Sequence, residues 1–434
     1  MDAARAEPIV KRWGGLRLHL SANVRFTLDV LSPRILAVAG LLFFPAIGMM
    51  SPDNRAPSTQ PPGDLAIADV PMFVMIGFDD NPDVEPMTWI LDYLAEKTNP
   101  IGSGQVATFD GSPTRVAFYS NGKYLENSAP LRALHLRAFR EGHEIGNHTH
   151  NHFHGGEFTT ETWTEEMRLC RDALVGCGIP NDSMIGFRTP FLEYNDHTLA
   201  AARQMGLIYD TSLEEGVRPD EDGTNFVWPF TLDNGGPGNA YYHAPGAAKH
   251  ITSHPGFWEI PLHVFMVPPD DVAAEYEIAP GLAERIYQTI KTTQGWEWSA
   301  ESRKITGLDW NVLEGAGRTA PEFLAILKHT LELRLAGNRA PLMVGAHTAL
   351  FATDKPDRRV AMEAFIGYAL SHPEVRIVTP SQLITWLRDP QPLGNESSAG
   401  RFTTSLESSS RSSCSRGNSV ARRVPARVIP STKA

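Results

Sequence analysis

The sequence predicts an α/β barrel, on three observations. Short apolar or β-branched runs recur through the middle of the chain, at 72–78, 115–120, 144–147, 184–188, 207–210, 258–264, 342–347 and 376–379. Segments of helical period lie between them, and strands alternating with helices imply parallel pairing. Seven or eight such units fit a closed barrel better than an open sheet. The chain has 434 residues, 42% apolar and 21% charged, which is a globular composition. A barrel of ~250 residues with appended segments accounts for that length.

Taken in order, residues 1–34 carry six basic side chains against three acidic ones, a net of +3. Residues 35–50 are uncharged and interrupted by Pro45. They fall short of the ~20 residues that span a bilayer comfortably. They match the apolar region of a secretory signal, with the small residues Ala46 and Gly48 at cleavage spacing. Residues 1–50 are therefore expected to be a signal or anchor segment, so that the protein is secreted or held at the cell envelope, with 35–50 able to act as a membrane anchor. Pro52, Pro57, Pro61 and Pro62 predict a linker over 51–69.

The barrel is expected over 70–393. Met87, Ile90, Leu91 and Leu94 share one face of a helix over 87–96. Thr162 and Glu165 read as a capping box ahead of Met167, Cys170 and Leu174, with Gly176 or Gly178 as the stop. Residues 215–255, rich in Gly, Pro, Asn and His, predict a long surface excursion. Pro321 opens a helix with the stripe Leu324, Leu327, Leu331 and Leu335. Residues 394–434 hold eleven Ser and a single aromatic, Phe402, too little apolar area to offset ordering entropy, so a disordered tail is expected. The three cysteines form no disulfide framework, and Cys170 and Cys177 read as structural thiols.

The formal net charge of −11 is a sum over unlike parts. The tail carries seven basic groups against two acidic, +5, so the 359 residues between the two ends hold 26 basic and 45 acidic groups, −19. A body that acidic excludes nucleic acid as a partner, because such binding rests on neutralising phosphates with Lys and Arg.

Four fragments carry chemistry, each at the end of a strand-like run, where barrels build their sites. Asp79 and Asp80 follow the run 73–78, and paired carboxylates there need a cation or solvent. Five of the 15 histidines lie between His143 and His154. Imidazoles are the commonest protein metal ligands. A helical turn would join His148 to His152, whereas an extended chain would align His148, His150 and His152. Arg188-Thr189-Pro190-Phe191 ends a run with a cation suited to orienting a carboxylate. His347 ends the run 342–346.

In this order, Phe78-Asp79-Asp80, His148-Thr149-x-x-His152, Arg188-x-Pro190-Phe191 and His347 resemble the motifs of the polysaccharide deacetylase (NodB-homology) family, the fourth carbohydrate esterase family. The flanking stretches 228–231, 338–342 and 378–387 resemble its insect-type chitin deacetylase branch. The resemblance implies a distorted (β/α) barrel of about seven parallel strands. It implies a hydrolase that removes N-acetyl groups from a polysaccharide built on N-acetylglucosamine: chitin, peptidoglycan or an exopolysaccharide. Asp80, His148 and His152 would hold a divalent metal, zinc first, in a two-His, one-carboxylate site with open positions. Asp79 would be the general base and Arg188 would orient it. His347 would be the general acid. The Phe191 backbone N–H would help stabilise the oxyanion, and Trp258 would shape the acetyl pocket.

Three positions depart from the family pattern: Gly77 for Thr, Gly345 for Leu, and Thr348 for Asp. Two other readings compete. A barrel metallohydrolase of the amidohydrolase or phosphoesterase kind would use His148-x-His150 as its pair. An inactive carbohydrate-binding barrel would have lost Asp79 or a ligand.

Overall fold

The longest apolar run of the barrel region becomes its central strand. In the computed structural model, which describes residues 53–237, 251–293 and 298–394, the first half alternates as expected. It runs β1 (Met72–Asp80), α1 (Val84–Leu94), β2 (Ala117–Ser120), α2 (Gly122–Leu125), α3 (Ala129–Arg140), β3 (Glu144–Asn147), α4 (Thr160–Gly176), β4 (Gly186–Phe187) and α5 (Asp196–Gln204). Short strands follow: β5 (Tyr209–Asp210), β6 (Glu214–Glu215), β7 (Phe230–Thr231), β8 (Trp258–Glu259), β9 (Leu262–His263) and β10 (Phe265–Met266). The rest comprises α6 (Leu282–Thr293), β11 (Lys304–Ile305), α7 (Ala320–Ala336), β12 (Leu342–His347), α8 (Pro356–Leu370), β13 (Val375–Ile377) and α9 (Pro380–Arg388).

The main sheet has the order β12-β1-β2-β3-β4-β5-β8-β7, with β13 also on β1. Every pairing in it is parallel except β7 with β8. β1 is buried along its whole length except at Asp80, as expected of a parallel strand covered on both faces. The sheet curls without a complete strand to close it. On the β12 side the gap is spanned by residues 307–308: Leu308 bridges Gly345, whose N–H donates to the Gly307 carbonyl at 2.9 Å. The barrel is therefore a distorted one.

Inside it, glycines make room for tyrosines. A Cβ on Gly146 would lie 2.4 Å from the Tyr119 ring, and one on Gly186 would lie 2.0 Å from the Tyr209 hydroxyl. The two hydroxyls bond each other at 2.9 Å, and Tyr209 donates on to Glu144 at 2.7 Å. Cys170 and Cys177 are free and buried.

Four expectations are corrected. The run 258–264 is not one strand. β8 stays in the main sheet while β9 pairs with β6 in a separate one, because Pro261 between them has no N–H to continue a ladder. Residues 215–255 are not a mere excursion, since Phe226, Trp228, Phe230 and Leu232 are buried and β7 extends the sheet edge; residues 238–250 lie outside the described residues. The stretch read as a linker is docked from Asp53 onward. Trp228 N–H donates to the Ser58 carbonyl at 2.8 Å, Thr231 N–H to that of Arg55 at 2.9 Å, and Asn338 Nδ2 to that of Thr59 at 2.7 Å. The cap of α4 is Thr159, whose hydroxyl accepts from the Thr162 N–H, three residues earlier than the Thr162 cap expected. The signal or anchor segment and the Ser-rich tail after residue 394 lie outside the described residues.

Candidate metal centre and acid–base pair

Parallel register brings the four fragments to one rim. Asp79 sits opposite His347 on β12 and Tyr119 on β2; Asp80 is opposite Ser120, Ser120 opposite Asn147, and Asn147 opposite Phe187. His148 and Arg188 are then the first residues past β3 and β4, at the same level. His148 lines a cavity of about 720 Å³ together with Asp79, Asp80, His152, Phe191 and His347, while Arg188 is fully buried.

At the end of β1 the chain turns through left-handed backbone, with φ 66° at Asp80 and 53° at Asn81, a conformation costly for non-glycine residues. The Asn81 amide holds it, donating to the Phe78 carbonyl at 2.8 Å, the Tyr119 carbonyl at 3.2 Å and the Ser120 hydroxyl at 3.1 Å. The 148–152 loop is held similarly. Asn121 donates to the His148 carbonyl at 2.6 Å, and the Glu166 carboxylate accepts from the His150 and Asn151 N–H groups at 3.2 and 2.8 Å.

The result separates the histidines. Nitrogen or oxygen atoms of Asp80, His148 and His152 all lie within 4.8 Å of one another, a spacing that could hold a metal ion. His150 instead turns away, its Nε2 3.1 Å from Glu126. That resolves the spacing in favour of the His148–His152 pair and removes the His148-x-His150 reading. His148 Nδ1 is 2.7 Å from the Arg188 carbonyl. A carbonyl only accepts, so Nδ1 carries the proton and Nε2 presents a lone pair, the tautomer a histidine needs to ligate a metal through Nε2. Asp80 Oδ1, buried and without a hydrogen bond, lies 3.4 Å from that Nε2 and 3.1 Å from His152 Nε2. Burial, reinforced by His148, pushes His152 down to about 4, so it is neutral near pH 7. Three converging donors with an orphaned carboxylate oxygen fit a divalent cation.

Beside them, Asp79 is buried and Arg188 NH1 donates to its Oδ1 at 2.9 Å. Arg188 is itself fixed by the Thr211 carbonyl at 3.0 Å and packs over the Tyr119 ring at 4.6 Å. Gly77 leaves the space this needs: a Cβ there would be 2.8 Å from Tyr119 and 3.1 Å from the guanidinium. His347 donates from its backbone N–H and from Nδ1 to the two oxygens of Asp309, at 2.8 and 2.7 Å. Burial disfavours the imidazolium, but the Asp309 charge and hydrogen bond, with Asp79 and Asp80, overcome this and hold its pKa up to about 9.

Of the aromatic residues, Phe191 lines the cavity at 51% exposure, with φ 57°, stacked on His154 at 3.9 Å. Trp258 does not line it. Its ring is 2% exposed and its Nε1 donates to Asp53 at 2.6 Å, because its strand position points it into the core. A second exposed wall aromatic is Trp310, and Leu308 covers the place of the missing side chain at Gly345, where a Cβ would be 2.3 Å from the Leu308 side chain. Sequence reasoning missed Leu308, Asp309 and Trp310. The one local signal was a carboxylate just behind the short run 304–306, the pattern already read at Asp79.

Fold and site define a class: a distorted parallel barrel whose rim pairs a two-His, one-carboxylate cluster with an Arg-bound aspartate and an Asp-bound histidine. The polysaccharide deacetylase family matches residues 69–209, so the chain carries a polysaccharide deacetylase domain. It is 24% identical over 345 residues to chitin deacetylase 1 of Bombyx mori, covering 76% of this chain and 53% of that protein. It is 22% identical over 355 residues to chitin deacetylase 8 of Bombyx mori, covering 79% and 77%. The chain thus spans about half the length of the first of these relatives. Among solved structures, a family 4 carbohydrate esterase from Streptomyces lividans is 21% identical with a TM-score of 0.25, covering 32% of this chain and 61% of that one.

Proposed function

We propose that the protein is a metal-dependent N-deacetylase of a chitin-like polysaccharide, releasing acetate from N-acetylglucosamine units. The observation that carries this is the register of β1 with β12, which sets Asp79 directly opposite His347 with the Asp80–His148–His152 cluster beside them. A base and an acid flanking one cation-fitting site is what amide hydrolysis needs, since one proton must leave the attacking water and another must reach the leaving nitrogen. The inactive-barrel reading loses its support, because neither Asp79 nor a ligand is missing.

Asp80, His148 and His152 would hold the cation, zinc first by ligand type. When bound, it supplies Lewis-acid polarisation of the acetamide carbonyl. Asp79 takes the proton of the attacking water through the oxygen that Arg188 leaves free; the guanidinium keeps the carboxylate aimed. His347 delivers a proton from Nε2 to the departing amine, while Asp309 keeps Nδ1–H engaged and the ring in place. Phe191, in the turn after Arg188, is positioned for its backbone N–H to share the oxyanion's charge. Residues 1–50 act as an export or anchor segment; no helix among the described residues is long and apolar enough to cross a membrane.

The test is acetate release from chitin oligomers and from peptidoglycan. Chelation should abolish it, restoration should follow added zinc, and Asp79→Asn should cost ~10²–10⁴-fold in kcat. Release that survives both chelation and Asp79→Asn would overturn the proposal.

A further inference from the structure

The sheet beneath the rim holds two facing carboxyl groups that the proposed reaction does not use. β5 and β8 pair in parallel with Asp210 opposite Glu259, so both side chains leave the same face of adjacent strands. Both residues are fully buried, and their carboxyl groups lie within hydrogen-bonding reach of each other. Two ionised carboxylates there would repel without water to screen them. The pair therefore holds a proton.

The surrounding bonds assign that proton to Glu259. Asp210 Oδ2 accepts from the Ser212 N–H and Oδ1 from the Ser212 hydroxyl, both at 2.8 Å. Glu259 Oε1 accepts from the Leu213 N–H at 3.3 Å, and its buried Oε2 has no hydrogen bond. Asp210 is thus the better-solvated anion, and a protonated Glu259 is the donor it can still accept from. The other ionisable neighbours act the same way. Arg188, just past β4, favours the charge on Asp210, and Glu215 on β6 disfavours a charge on Glu259. On its far flank Glu259 faces the uncharged Phe230 of β7. Burial pushes both carboxyl groups up, Glu259 well above the usual carboxylate range.

The pair is connected to the site through β5's end. The Ser212 hydroxyl that donates to Asp210 accepts from the Thr189 N–H at 2.8 Å, between Arg188 and the Phe191 turn. The intervening Thr211 carbonyl accepts from Arg188 Nε at 3.0 Å. We propose that Glu259 is a positioning residue: protonated at neutral pH, it donates to Asp210 and so fixes residues 189 and 211–213, which hold Arg188 and the Phe191 turn. The catalytic consequence rests on the deacetylase reading; the shared proton does not.

The experiment uses the full-length protein and Glu259→Gln, which keeps the shape and a donor but cannot titrate. The unfolded wild type gives up the proton above the ~4.3 of a free glutamate, whereas the fold retains it, so stability is lost as pH rises. From about pH 6.5 to 8, the wild-type folding equilibrium constant should fall about tenfold per pH unit relative to that of Glu259→Gln, read by denaturant unfolding. Parallel pH slopes would mean that Glu259 is ionised in the fold, and would overturn the proposal. Positioning is read by hydrogen exchange at the Thr189 and Ser212 amides, neither of which bonds Glu259 directly. Exchange there should be about tenfold or more faster in Glu259→Leu and near wild type in Glu259→Gln. In acetate release, Glu259→Leu should lose about tenfold or more in kcat with KM little moved, and Glu259→Gln should restore most of it. Should Glu259→Leu not fold, Asp210→Asn replaces it, since it leaves Ser212 one acceptor oxygen instead of two. Unchanged exchange and kcat in the disrupting variant overturn the positioning role. If the wild type releases no acetate the deacetylase reading fails instead, and the pH slopes and exchange still decide the pair.

Discussion

Asp309 accepts two hydrogen bonds from one histidine, and that pairing sets the protonation of the proposed acid. His347 is held up to about 9, so the imidazolium is present below that pH and lost as pH rises through it. Activity that depends on it has an alkaline limb there. Asp309→Asn removes the dominant favourable charge and moves the limb of kcat/KM down, toward the ~6.5 of free imidazole. A pH profile with an unmoved limb would show that the limb is not His347. The same scale explains Arg188. With both partners of the Arg188–Asp79 pair buried, removing one strands the other, which is costlier than losing an exposed pair. The deep strand-end positions of Asp79, Asp80, His148, Arg188 and His347 were legible in sequence because each follows its own apolar run. Asp309 was not, since its role comes from a contact with a residue 38 positions away.

At the scale of elements, two of the three departures from the family pattern, Gly345 and Gly77, find their causes in neighbouring segments. Gly345 lacks a side chain because Leu308, bridged to it across the open side of the barrel, fills that place. Gly345→Leu is expected to destabilise by ~1–3 kcal/mol through overpacking. The double change with Leu308→Gly should recover most of the loss, measured by denaturant unfolding; equal destabilisation in both would show that the two positions do not share the space. Gly77 likewise yields its space to the Tyr119–Arg188 stack. Strand existence was readable from β-branched and apolar runs. Strand boundaries were not, as the division of 258–264 at Pro261 shows, because pairing partners decide where a run stops being a strand.

For the molecule as a whole, residues 53–59 act as part of the barrel rather than as a lead-in. Asp53 accepts from Trp258 and from Arg388, and the following backbone serves Trp228, Thr231 and Asn338. A chain beginning at Val70 should therefore unfold at a lower temperature than one beginning at Ser51, with each lost hydrogen bond worth ~0.5–1.5 kcal/mol. Equal melting temperatures would show the docked segment to be dispensable. Composition misled here: proline-rich stretches lack ladder donors, yet their carbonyls still accept. By itself the sequence determined the α/β alternation, the acidic body, the four-residue spacing of His148 and His152, and the carboxylates behind β1. These are local, written in period, spacing and charge. Only the tertiary structure decided that His150 leaves the cluster for Glu126, that Trp258 is core and Trp310 wall, and that Asp309 pairs with His347. Each of those depends on which distant segments meet when the sheet curls, and contacts between distant segments leave no periodic trace in the chain.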